Sequence, residues 1–108
     1  MRLVIIESPY AGKTPEEVAS NVEYARRALR DSLQRGESPI ASHLLLTQVL
    51  DDTNMDERTL GIKAGLAWRR AADASVVYTD RGISTGMQFG IVTAEASGLP
   101  VEYRQIGD

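Results

Sequence analysis

The segment Asp80-Arg81-Gly82-Ile83-Ser84-Thr85-Gly86-Met87 lies between an apolar strand pattern, Ser75-Val76-Val77-Tyr78, and a helical pattern running towards Ala96. A glycine-punctuated loop at such a junction can hold an anion or a sugar hydroxyl on the free N–H groups of a helix N-terminus, with an ordinary turn as the alternative reading. Within it, Asp80 can accept from ribose hydroxyls, and the N–H groups around Ser84, Gly86 and Met87 can meet a phosphate or sugar oxygen. Two further loops carry chemistry. Ser8-Pro9-Tyr10-Ala11-Gly12 offers a hydroxyl, a ring able to stack on a base and two small residues that allow close approach, and His43 offers an imidazole that is neutral at pH 7. Glu7 and Asp80 each close an apolar run, so the two carboxylates can flank one glycosidic bond as a hydrolytic pair.

These groups must be positioned by the elements between them. Leu3 to Ile6 is a continuous apolar, β-branched run that suits a strand buried on both faces. Thr14-Pro15-Glu16-Glu17 reads as a helix start, with Thr14 capping, Pro15 at the first helical position and Glu17 completing a capping box. Val18, Val22, Ala25, Leu29 and Leu33 form the expected sheet-facing stripe, Arg26, Arg27 and Arg30 face water, and Gly36 ends the helix. Ser38 to Ser42 reads as a second strand opening with Pro39. The stretch from Leu44 to Leu50 reads equally as helix or loop. Asp51 to Asn54 is a turn that caps a helix near Asp56, and its two acids read as a solvated cap. From Glu57 to Ala72 the pattern is helical, with Leu60, Ala64, Ala67 and Ala71 on one stripe and Gly61 and Gly65 available for close packing. Val76 to Thr79 and Val101 to Arg104 are the last two strands, joined by a helix that ends at Gly98-Leu99-Pro100. The order β-α-β-α-β-α-β predicts a small doubly wound α/β sandwich with a parallel sheet of four to five strands and right-handed crossovers. All three chemical loops then leave strand carboxyl ends.

The 108 residues match one domain, 1–108, with one core. A net charge of −3 with arginines scattered among carboxylates gives no attraction to a phosphate backbone, so nucleic acid is not expected as a partner. The absence of cysteine excludes disulfides and thiolate sites, and with His43 the only histidine no His-rich metal cluster exists. No metal and no cofactor is expected. No apolar run approaches the roughly 18 residues needed to span a bilayer, and a cytoplasmic protein is expected.

Six short patterns, in order, resemble the small nucleoside 2-deoxyribosyltransferase-like proteins, including short bacterial and phage-encoded members of unassigned function. They are Ser8 to Gly12; Pro39 with Ser42-His43-Leu44; Leu50-Asp51-Asp52 before Glu57-Arg58-Thr59-Leu60-Gly61; Ala72-Asp73; Ile83 to Met87; and Gly98 to Val101. The resemblance implies a flavodoxin- or Rossmann-like sheet, a nucleoside pocket at the strand ends, and homo-oligomers in which a neighbour helps close the pocket. It also implies a catalytic Glu four residues after the loop glycine. Gly90 stands at that position, and a shifted register would put Gln88 there, so the nucleophilic carboxylate is missing in either register.

The sequence therefore supports three functional readings, the last of them a structural oligomer with a vestigial pocket. The first is a nucleotide- or nucleoside-derivative-binding protein with a transferase-like pocket, using Ser8, Tyr10, Ala11, Gly12, His43, Asp80, Ser84, Gly86 and Met87. In the phage context that the resemblance implies, it would sequester an ADP-ribose-type or cyclic nucleotide signal. The second is an enzyme cleaving an N-glycosidic or phosphate bond with Asp80 or Glu7. In the first reading Gly90 leaves space for a bulkier ligand. Glu95 is expected in solvent, and Trp68, beside Arg69 and Arg70, at a subunit contact or core edge; Arg58 reads equally as a site residue or a structural ion pair.

Overall fold

A computed structural model describes residues 1–108. Four strands form one sheet in the order β2-β1-β3-β4, all parallel: β1 (Arg2–Glu7), β2 (Glu37–Ile40), β3 (Ala74–Tyr78) and β4 (Val101–Arg104). The helices are α1 (Pro15–Gln34), the single turn α2 (Ser42–Leu45), α3 (Met55–Ala67) and α4 (Thr85–Ala96). Short 3-10 turns, Leu46–Gln48 and Trp68–Arg70, follow α2 and α3. The fold is the α/β layered sheet that the alternation predicts, with four strands. No helix is long and apolar enough to cross a membrane.

The two central strands carry the core because alternate side chains enter both faces. Val4, Ile6, Ala74, Val76 and Tyr78 meet Tyr24 and Ala28 of α1 on one face. Val77 meets Met87 and Ile91 of α4 on the other. The buried ridge of α1 is Tyr24, Ala25, Ala28 and Ser32, not the stripe through Leu33, which is 56% exposed. The reason is the aromatic payload: placing Tyr24 in the core turns the helix so that Ala28 and Ser32, small enough to lie against the sheet, share its face.

Local signals act largely as read. Thr14 caps α1 by accepting from Glu17 N at 3.1 Å, while the Glu17 carboxylate reaches back to Lys13 N, one residue before the cap. Pro39 lies on β2, an edge strand, where a missing donor costs no ladder bond on its open side. Gly36 and Gly98 take positive φ at the ends of α1 and α4. The α3 stripe is corrected: Leu60 is 56% exposed, and Gly65 is the one buried residue of that helix. A Cβ on Gly65 would stand 2.7 Å from Ser42 Oγ, so this glycine lets α2 lie against α3.

A buried ion network ties the sheet's edge to its far strand. Glu37 accepts from Ser32 Oγ at 2.8 Å and from both terminal nitrogens of Arg104 at 2.7 Å, and Arg2 closes on it at 3.2 Å. Those donors hold its carboxyl down at about 2.

Candidate functional site

A cavity of about 550 Å³ opens at the carboxyl ends of the strands and is walled by the β1 loop, α2, α3 and the start of α4. Its lining includes Glu7, Ser8, Tyr10 and Ala11 from the first loop, Ser42, His43, Leu46 and Thr47 from the second, and Ser84 to Met87, Phe89 and Gly90 from the third. The crossover from β2 to β3 supplies Asp52, Glu57, Arg58, Gly61, Gly65 and Arg69. The three loops thus meet in one place because all the strands run the same way.

Ser8 Oγ lies 2.8 Å from His43 Nε2, and the ring of Tyr10 packs edge-on against the imidazole with centroids 6.4 Å apart. Burial pushes the His43 imidazole down to about 4, so it is neutral at physiological pH and positions Ser8 and Tyr10 as an uncharged partner.

Ser84 caps α4, accepting from Met87 N at 3.2 Å, while the side chain of Met87 runs into the core. The N–H groups of Thr85 and Gly86 have no protein acceptor. A Cβ on Gly86 would meet nothing within 4 Å, so this helix end is open where it borders the cavity.

The cavity floor holds an ion pair, Glu7 with Arg69, in which both side chains are largely buried. Burial outweighs the attraction of Arg69 and pushes the Glu7 carboxyl up to about 7. The Nε of Arg69 is buried without an acceptor. Gly90 faces this pair: a Cβ there would stand 2.6 Å from Glu7 Oε1 and 2.7 Å from Arg69 Nη2. The room expected beside Gly90 for a bulkier ligand is therefore filled by the protein's own ion pair.

Two expected site residues are placed elsewhere. Asp80 is absent from the cavity wall; it accepts from Tyr24 Oη at 2.6 Å and from the N–H groups of Ile106, Gly107 and Asp108, which fills its lone pairs and anchors the chain's last residues on the α1 side. These donors hold its carboxyl far below the usual carboxylate range against a desolvation that raises it. Gly12 also lies outside the wall, where a Cβ would strike Glu17 Cβ at 2.6 Å and Val18 N at 3.1 Å, so it serves the close approach of the loop to α1.

Arg69 is the residue that sequence reasoning missed. It belongs to Trp68-Arg69-Arg70, and only the 3-10 turn after α3 points the middle residue inward, leaving Trp68 45% exposed. One signal existed: a carboxylate ending a strand buried on both faces demands a buried partner. Arg58 lines the cavity and pairs with Asp52 at 3.4 Å, so it is both a wall residue and part of an ion pair. No group of three or more His, Asp or Glu is gathered so as to hold a metal ion.

The chain belongs to the family described as a domain of unknown function, DUF7768, which matches residues 2–104. Among curated proteins none matches. In structure it is similar to the 2-deoxyribosyltransferase of the psychrotolerant bacterium Bacillus psychrosaccharolyticus, with a TM-score of 0.67 and 20% identity over 98% of this chain and 74% of that one. The fold is that of a nucleoside deoxyribosyltransferase.

Proposed function

We propose that this member of the DUF7768 family is a binding protein for a nucleotide or nucleoside derivative, seated in the cavity at the strand carboxyl ends. One observation carries the reading: three loops and the open N-terminus of α4 converge on a cavity of a size suited to a small organic ligand, about 550 Å³. Tyr10 offers a face or edge to a base, Ser8 and His43 offer neutral hydrogen bonds, and the N–H groups of Thr85 and Gly86 offer donors to a hydroxyl or phosphate. Sequestration of an ADP-ribose-type or cyclic nucleotide signal is the role this reading favours, since α4 supplies no carboxylate at Gly90. The similarity to a deoxyribosyltransferase supports the nucleoside class through the fold alone.

A second reading rests on Glu7. Its carboxylate stands beside Gly90, so the cavity does possess an acid, supplied by β1, and with a proton affinity near neutrality it is fit to serve as an acid or base in glycosidic cleavage. A panel of nucleosides, nucleotides, NAD and ADP-ribose separates the two. Binding at 100 times the dissociation constant adds about 2.7 kcal/mol to the folded state and raises the melting temperature. Stabilisation with the ligand recovered intact supports the binder; base release that vanishes in Glu7→Gln establishes the enzyme.

The binder reading includes a homo-oligomer. Leu60 and Ile62 of α3 and Phe89 and Val92 of α4 are 43–56% exposed, which leaves apolar surface for a second copy to cover. Light scattering at micromolar concentration tests this, and a monomer overturns it.

A further inference from the structure

Every charged group that borders the cavity has a partner, but one of them keeps a buried donor that its partner does not use. Asp52 pairs with Arg58, and Glu57 accepts from Asp51 N at 3.1 Å. Arg69 holds Glu7 through one terminal nitrogen, but its Nε has no acceptor, although the side chain is only 6% exposed. A buried guanidinium N–H without a partner forfeits a charge-assisted hydrogen bond, so the Arg69 guanidinium has donor capacity that Glu7 does not fill.

We propose that the cavity floor is a proton-coupled anion site, in which an anionic oxygen group of the ligand takes the Arg69 guanidinium and Glu7 gives up the pair by accepting a proton from solvent. This inference rests on the nucleotide-like reading of the same cavity and narrows it to ligands bearing a phosphate, such as ADP-ribose. Three features carry it. Arg69 holds Glu7 through a single nitrogen, and burial raises the Glu7 carboxyl to about 7, so the pair is one that ordinary conditions can open. The pair is backed by Gly90 of α4, which contributes no competing group. Lastly, Gly86, with its free N–H, lies four residues before Gly90, a rise of roughly 6 Å along the helix, so one phosphate-bearing group can span both donors.

The groups facing Glu7 fix how the coupling reads out. Arg69 is the charged group in contact with it; the rest of the cavity wall carries His43 on α2 and Asp52, Glu57 and Arg58 on the β2-to-β3 crossover, and α4 lines it with no charged residue. His43 is neutral throughout the range from about pH 6 upwards. In the free protein Glu7 is largely ionised above about pH 7, and in the complex it is protonated. Anion binding there takes up one proton, and affinity falls by up to about tenfold per pH unit.

The test is isothermal titration with ADP-ribose, whose pyrophosphate does not titrate between about pH 6 and pH 9, in two buffers of unlike ionisation heat. Adenosine is the neutral control. The wild type should take up between about half and one proton with ADP-ribose near pH 8 and none with adenosine. Glu7→Gln, a fixed mimic of the protonated acid, should bind ADP-ribose at pH 8 at least about tenfold tighter than wild type, with no uptake. Arg69→Gln should lose both the affinity gain from phosphate and the pH dependence while still binding adenosine. ADP-ribose binding that is flat with pH and independent of buffer, or no tighter in Glu7→Gln, overturns the site but leaves the nucleotide reading standing. Should neither ADP-ribose nor adenosine bind, that reading falls, and sulfate decides the anion site alone. A rise in the Glu7 titration midpoint with sulfate, followed by carbon-13 NMR of the carboxyl in the wild-type protein, supports it, and an unchanged midpoint overturns it. The sulfate arm also serves if Arg69→Gln does not fold.

Discussion

The carboxylate of Glu7 occupies the place where a side chain at Gly90 would begin, with Oε1 2.6 Å from the position of a Cβ there. A strand end and a helix thus compete for one small volume, and the strand has filled it. Gly90→Ala should therefore cost about 1–2 kcal/mol in urea denaturation, at the lower end of overpacking, because the atoms it meets are side-chain tips that can yield only by disturbing a buried pair. The cost should fall in a Glu7→Ala background, which removes the nearest atoms and releases Arg69 Nη2, the other contact, from its anchor. A double-mutant cycle with coupling below about 0.5 kcal/mol would show that the two residues do not share this space.

Glu7 and His43 predict opposing pH dependences of stability. Glu7 is raised to about 7 in the folded chain, so the native state binds more protons than the unfolded one, and stability falls as pH rises from about 4.5 to 7. His43 is lowered to about 4, so the unfolded state binds more protons, and stability falls as pH drops from about 6.5 to 4. Each effect amounts to at most about 3 kcal/mol, and over pH 4.5 to 6.5 they offset one another. Glu7→Gln should expose a profile that rises with pH in this window, and His43→Gln one that falls. Urea unfolding at three pH values checks the signs, and parallel profiles in the two variants would contradict the assignment.

Glu37→Gln should destabilise the fold by about 3–5 kcal/mol, since it leaves Arg104 buried without its carboxylate. Because Glu37 is held at about 2, below its unfolded value, its stabilisation is complete above about pH 5 and lost as pH falls towards 2. The variant should therefore be weaker than wild type at pH 7 and close to it near pH 2 in chemical denaturation.

Asp80→Asn should act on the chain's last residues and not on the ligand. Replacing an acceptor of three backbone N–H groups and a tyrosine hydroxyl should cost about 1.5–3 kcal/mol and speed proteolysis after Arg104, while nucleotide affinity stays within about twofold. A large loss of affinity with the terminal residues still protected would return Asp80 to the cavity.

The sequence by itself determined the layered α/β fold, the four strands and three long helices to within a few residues, and the three loops at the strand carboxyl ends, because these follow from local rules; α2, which opens at Ser42 where the second strand pattern ends, was not among them. A β-branched run, a Thr-Pro helix start and a glycine stop act over a few residues, and parallel crossovers then bring Ser8, His43 and Ser84 to one edge. It also determined that α4 carries no carboxylate at Gly90. Only the tertiary structure decided which side chains use that edge. Asp80 turned to the α1 face because Tyr24 and the N–H groups of Ile106 to Asp108, distant in sequence, offered it more hydrogen bonds than an open loop provides. Arg69 turned inward because Glu7, 62 residues away, needed a buried cation, a demand that no local pattern assigns to Arg69 rather than Arg70. Charge compensation is decided by what stands opposite in space, and spacing along the chain does not record it.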